Sequence, residues 1–178
     1  GDWASLDQDM ARAARQLESA GADLLLIGSN TMHRCLPAMK EAVSIPILHI
    51  VDGVGEALSA SNIRHAGLLG TRFLMEDRLY PDRLQTGFGI RTSLPEKDQI
   101  AVINRIIYEE LVKGVIRDDS RQAFLAIIQS MIKRGIEAVI LGCTEIPLLI
   151  SQQDVPVPVF DTTWIHAGMA VDHTLSGG

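Results

Sequence analysis

Gly21 to His33 reads GADLLLIGSNTMH, and Gly135 to Pro147 reads GIEAVILGCTEIP. Each copy has a glycine, one intervening residue and an acid (Asp23, Glu137), then four apolar residues, a second glycine and a small residue with a nucleophilic atom. That residue is Ser29 in the first copy and Cys143 in the second. The likeness extends upstream, ARQLESAGADLLLIGS beside IIQSMIKRGIEAVILGC, so each copy is a whole helix–strand–turn unit. An unbroken apolar run, as opposed to an alternating one, predicts a parallel strand buried on both faces. The simplest arrangement of two such units is a pair of related lobes whose strand ends face each other, bringing Ser29 and Cys143 to one ligand from opposite sides. The likeness also fits any two α/β units, because Gly–acid–apolar–Gly is how a helix enters a buried strand.

Outward from the two copies the same grammar repeats. Leu6, Met10, Ala13, Ala14 and Leu17 recur at helical spacing, and Gly21 is placed to stop that helix. Helices are expected over Met32 to Ala42 and Gly53 to Ser61. Strands are expected over Leu24 to Ile27, Ile45 to Ile50 and Ala66 to Leu69, with a turn at Gly70–Thr71. An irregular stretch from Tyr80 to Gly89 and a short strand over Ile90 to Ser93 follow. Glu96 to Val112 and Asp119 to Lys133 read as amphipathic helices, with Asp118, Asp119 and Ser120 as caps between them. Strands at Ala138 to Leu141 and Val157 to Phe160 precede a last helix after Asp161. Alternating helices and strands predict an α/β fold with parallel sheets and right-handed crossovers. The expected division is a first lobe of residues 1–60 with 158–178, and a second of 61–157.

Composition narrows the partners. The 178 residues are 47% hydrophobic, enough for one compact domain or two small lobes. A net charge of −6 without a Lys/Arg cluster argues against nucleic acid or an anionic membrane as partner. The expected partner is a small molecule. Neither an apolar run of spanning length nor a charged-then-apolar leader is seen, which points to the cytoplasm. Cys35 and Cys143 make neither a disulfide framework nor a metal cluster and are expected as free thiols. His33, His49, His65 and His166 show no metal spacing, and no Walker loop or GxGxxG is present. His166, in DTTWIH, stands out because that turn follows a strand.

In α/β folds ligands gather at the carboxyl ends of strands, where Ser29, Thr71, Cys143 and Asp161 fall. GSNTMH, LLGTRF, IIYEELVKGVIRDDSR, VILGCTEIPLLI and FDTTWIHA, in that order, resemble the aspartate/glutamate racemase family of cofactor-independent amino-acid racemases. The resemblance is to the aspartate racemase branch, since the glutamate branch has His where Glu145 stands. It implies two pseudosymmetric lobes, an active site in the cleft between them, no cofactor, and a homodimer. It also implies substrate-binding roles for Asn30, Thr31, Thr71 and Thr144, and a contact from Lys113 to the substrate's side-chain carboxylate. Three departures accompany it. Ser29 stands where the family has its first catalytic Cys, Leu74 where a Thr is common, and the family's glycine-rich first strand has no counterpart.

The residues carry their own chemical argument. Inverting an α-carbon takes a proton from one face and supplies one to the other, so two acid/base groups must flank the substrate. A thiol of pKa ~8.5 suits both roles, and backbone N–H groups at the strand end are expected to favour the Cys143 thiolate. Ser29 is far less acidic and needs a neighbouring base. Cys35 is expected to pack. The readings are therefore racemisation of aspartate or glutamate; decarboxylation or isomerisation of a small dicarboxylic acid by one Cys; or a binding relative with impaired turnover.

Overall fold

The computed structural model describes residues 2–176. Its centre is a parallel sheet in the order β2 (Arg91–Ser93), β1 (His65–Leu69), β3 (Ala138–Leu141) and β4 (Val159–Asp161). Every residue of β1 and β3 is buried, as their unbroken apolar runs require. Period-two alternation divides their side chains between two cores. Leu69, Val139 and Leu141 join Ile103, Ile107, Phe124 and Ile128 of α6 (Lys97–Glu109) and α7 (Asp118–Lys133). On the opposite face Ala66, Leu68, Ala138 and Ile140 meet Val51, Val54 and Leu58 of α3 (Ile50–Ala60) and Tyr80 and Leu84 of α5 (Leu79–Phe88). α8 (Thr162–Leu175) packs on α3. Of the segments assigned on sequence to the first lobe, α3 thus packs on this sheet and β4 is one of its strands.

A smaller third core holds Ala14 of α1 (Trp3–Ser19), Met39 of α2 (Leu36–Ala42), and Leu25, Ile27 and Ile47. α1 ends as read from sequence, with Gly21 at φ +94°. Here two expected strands fail. Leu24 to Ile27 and Ile45 to Ile50 meet at a single parallel bridge, Leu25 to Ile47, closed by Leu25 N–H to Pro46 O and Leu48 N–H to Leu25 O. Leu26 is 43% exposed, so the run is buried on one face only. Ile50 opens α3 instead, after His49 caps it by accepting from Val51 N–H.

Two other expectations are corrected. The stretch from Tyr80 is not irregular: Leu79–Phe88 is α5 and Gly89 its cap. Pro81 falls in the first turn, where amides lack intrahelical partners anyway, and Gly89 ends the helix at φ +65°. Asp118 and Asp119 lie within the first turn of α7, whose cap is Arg117 without a side-chain bond. Ser120 donates to the buried Glu110 at 2.5 Å instead of capping.

Candidate active site

Three turns converge on a cavity of about 350 Å³: Gly28 to Met32, Thr71 to Phe73 after β1, and Gly142 to Glu145 after β3. Ser29, Asn30, Thr31, Thr71, Cys143 and Thr144 all line it, although they come from distant parts of the chain. Lys113 does not. It is exposed on a 3₁₀ turn, Leu111–Lys113, whose Val112 reaches the cavity beside Tyr108. Phe73, Tyr108 and Val112 give that end an exposed apolar rim.

The Cys143 turn is built without slack. A Cβ on Gly142 would lie 2.5 Å from Leu74 Cδ2 and 3.0 Å from Leu69 O. Leu74, buried at the start of α4 (Arg72–Glu76), wedges between this turn and Gly70 and faces the core, away from the cavity. Thr71 caps α4, its hydroxyl accepting from Leu74 N–H at 3.3 Å.

Cys143 is 8% exposed, and its thiol donates to Glu145 Oε2 at 3.0 Å. Thr144 Oγ1 donates to the same oxygen at 2.7 Å. The thiolate-favouring environment expected from sequence is not found. Burial, and then the Glu145 carboxylate, push the thiol up to about 12, outweighing the backbone N–H groups of Glu145 and Ile146. Burial alone would raise the Glu145 carboxyl, but the hydrogen bonds from Cys143 and Thr144 hold it below its ordinary value. The unit is therefore a protonated thiol beside an ionised carboxylate. Glu145 entered the sequence reading only as a marker of family branch; its role as thiol partner depends on turn geometry.

The Ser29 turn is held from behind. His33 Nδ1 lies 2.8 Å from Ser29 O, and Nε2 accepts from Ile50 N–H at 3.1 Å, which makes Nδ1 the protonated nitrogen. Burial lowers His33 to about 4, so the ring stays neutral. Asn30 is buried and tied by both ends of its amide. It donates to Thr162 Oγ1 at 2.9 Å and accepts from the Tyr80 hydroxyl at 2.7 Å. Thr162 in turn donates to Leu141 O at 2.9 Å. This chain links the serine turn to the end of β3, two residues before Cys143. Thr162 was visible only as part of DTTW, and Tyr80 had no signal in the sequence. Ser29 Oγ has one long contact, Met32 N–H at 3.4 Å.

Cys35 is buried, outside the cavity, and raised to about 11 by burial and then by Asp7. Among the described residues no group of His, Cys, Asp and Glu could hold a metal ion. No described helix is long and apolar enough to cross a membrane.

Comparison with known proteins gives the chain a family. Residues 1–170 match the Asp/Glu/hydantoin racemase family. The chain belongs to that family. It is similar to a crystal structure of a candidate Asp/Glu racemase from Yersinia pestis, at TM-score 0.92 and 42% identity, covering 98% of this chain and 76% of that one. An aspartate racemase homologue from Pyrococcus horikoshii OT3 gives TM-score 0.88 and 34% identity, with 98% and 76% covered. Glutamate racemase from Hydrogenobaculum sp. (strain Y04AAS1) is 29% identical over 139 residues, 77% of this chain and 51% of that protein. The chain thus spans about half the length of the curated relatives it matches.

Proposed function

We propose that the protein racemises a small acidic amino acid, aspartate or glutamate, by direct proton transfer at the α-carbon without a cofactor. The observation that carries this is that Ser29 and Cys143 line one cavity from two separate turns. Cys143 serves one face of the substrate, passing its proton to and from Glu145, and Ser29 serves the other. Thr71, Thr144 and the backbone of Asn30 and Thr31 receive the α-carboxylate. Lys113 reaches from its turn toward the distal carboxylate, and the working form is a homodimer in the cytoplasm. Proximity does the rest, by letting a weak acid and base act on a held substrate.

A second reading is favoured by the unequal pair. A protonated thiol facing a hydroxyl of little acidity suits an enzyme that delivers one proton, as in decarboxylation of a malonate-type acid. Incubation with L-aspartate and L-glutamate in deuterated water separates the two. Deuterium at the α-carbon together with new D-isomer is the expected result. Neither exchange nor D-isomer, with carbon dioxide released from malonate-type acids, would replace the first reading by the second.

A further inference from the structure

Ser29 and Cys143 are carried by different cores. Leu25 and Ile27, which lead into the Ser29 turn, pack in the small core, whereas Cys143 packs in the core on one face of the central sheet, and the two cores share no buried residue. Among the described residues no hydrogen bond joins the serine turn to the cysteine turn directly. Their separation is therefore set by what lies between them. Asn30 is buried, and Tyr80 and Thr162 are wholly so. The Thr162 hydroxyl gives its one hydrogen to Leu141 O, so its oxygen can only accept from Asn30, which fixes Nδ2 on that side. Oδ1 then faces Tyr80, whose phenol donates and is held protonated far above neutral pH by burial. The amide cannot turn over without setting Oδ1 against a second acceptor, Thr162 Oγ1. Nor is it spent on the 3₁₀ turn that begins at Thr31, to which it gives no cap bond. The path from Ser29 thus runs through Asn30, Thr162 and the last residue of β3, Leu141, to Cys143.

We propose that Thr162 and Tyr80 are positioning residues: through the Asn30 amide they hold Ser29 and Cys143 at the separation that inversion requires. The inference rests on the racemase reading of the main site. Neither Thr162 nor Tyr80 lines the cavity, so each acts through Asn30 and not on the substrate. Exchange of an α-hydrogen with solvent on one face needs a single acid/base group in place. Inversion needs two at once, one to take the proton and one to supply a proton to the opposite face. A change in the separation of the pair therefore lowers inversion more than it lowers exchange on one face. The tolerance is small, since a misplacement of ~1 Å can cost ~10²-fold in rate. The second buried link from the serine turn, His33 to Ile50 N–H, runs to α3 and does not reach the end of β3. It leaves the Asn30–Thr162 link as the one that ties the serine turn to the strand bearing Cys143.

The test starts, in deuterated water, from the enantiomer whose exchange Cys143→Ala silences, and reads two rates in one sample: deuterium uptake into that enantiomer and formation of the opposite one. Their ratio does not depend on how much of the protein is folded. Thr162→Val keeps the shape of the side chain and removes the hydroxyl, and is expected to lower the ratio of inversion to uptake by about tenfold or more. Tyr80→Phe removes only the phenol oxygen and should lower the ratio by a smaller factor. Thr162→Ser keeps the hydroxyl and should restore the parent ratio. An unchanged ratio in Thr162→Val and Tyr80→Phe, with both rates falling together or not at all, would make the link merely structural and overturn the proposal. A serine variant as impaired as the valine one would do the same. Tyr80→Phe decides the matter should Thr162→Val not fold. A parent protein that exchanges neither enantiomer refutes the racemase reading and this inference with it, whereas an active parent with unmoved ratios refutes the inference alone.

Discussion

The segments 21–33 and 135–147 share a sequence pattern and differ in almost everything that packing controls. In the second, Ala138 to Leu141 is a central strand hydrogen-bonded on both sides, to β1 and β4, and wholly buried. In the first, Leu24 to Ile27 makes one bridge and leaves Leu26 open. The acids differ as well: Glu137 accepts from Arg64 and His65 N–H at the start of β1, whereas Asp23 is exposed. Glu18 does the comparable work in the first unit, accepting from the backbone of Ser44 and Ile45. Pattern specifies how a helix hands over to an extended run. Whether that run becomes a buried strand depends on neighbours contributed from elsewhere.

The same contrast governs the chemistry, and the largest predicted effect breaks it. Cys143→Ala should lower α-proton exchange from one enantiomer by about 10²-fold or more, the usual cost of removing a positioned acid/base group. Fold, read by circular dichroism, should be retained because a small residue replaces a small one. Near-normal exchange on both faces would remove the thiol from the mechanism. Ser29→Cys works the other way, supplying a group of pKa ~8.5 where an almost non-ionising one stands. Inversion should rise, by about tenfold, and the two directions should approach equal rates. An unchanged rate in a folded variant would mean that the two residues are not opposed.

Glycine tests the packing half of the comparison. An added Cβ at Gly142 meets Leu74 and a backbone oxygen, whereas at Gly28 it meets nothing within 4 Å. Gly142→Ala should therefore cost about 1–3 kcal/mol in denaturant unfolding, the range for overpacking a tight core. Gly28→Ala should cost little. Similar losses at both would mean that the serine turn is as tightly enclosed as the cysteine turn.

Much of this was legible from residues alone. β1, β3 and the helices α6 and α7 follow from unbroken apolar runs and from 3.6-residue periodicity; the rule that strand ends carry ligands brought Ser29, Thr71 and Cys143 to the cavity but also named Asp161, which does not line it, while Asn30, Thr31 and Thr144 came from the family resemblance. What stayed hidden depends on contacts between distant residues. The 45–50 run reads as a strand on composition, but His49 caps a helix there. The Tyr80–Asn30–Thr162 link joins residues that no local pattern connects. The thiol environment was misjudged because the Glu145 carboxylate and burial, and not the backbone amides, decide it.

That environment has a pH consequence. A folded-state pKa raised from ~8.5 to about 12 contributes stability that is fully present below pH ~8.5 and fades as pH rises toward 12. Glu145→Gln removes the carboxylate and should lower the thiol's pKa, so that alkylation of Cys143 by iodoacetamide reaches its plateau at lower pH than in the parent. The burial contribution remains, so the value should stay above that of a free cysteine. An unshifted alkylation profile would show that Glu145 does not govern the thiol.

The smallest effect concerns Lys113, beside the Tyr108 and Val112 rim of the cavity. Lys113 is exposed and outside the lining, so any contact with a distal carboxylate is made in water and is worth at most about 1 kcal/mol. Lys113→Met should therefore weaken binding of aspartate or glutamate by no more than about fivefold, and should leave alanine binding unchanged. The loss should shrink at high salt, since an exposed ion pair is screened. Equal losses for acidic and neutral amino acids would assign the side chain to the surface. Specificity for an acidic side chain would then have to arise at the rim, where Phe73, Tyr108 and Val112 offer only apolar surface and the Tyr108 hydroxyl.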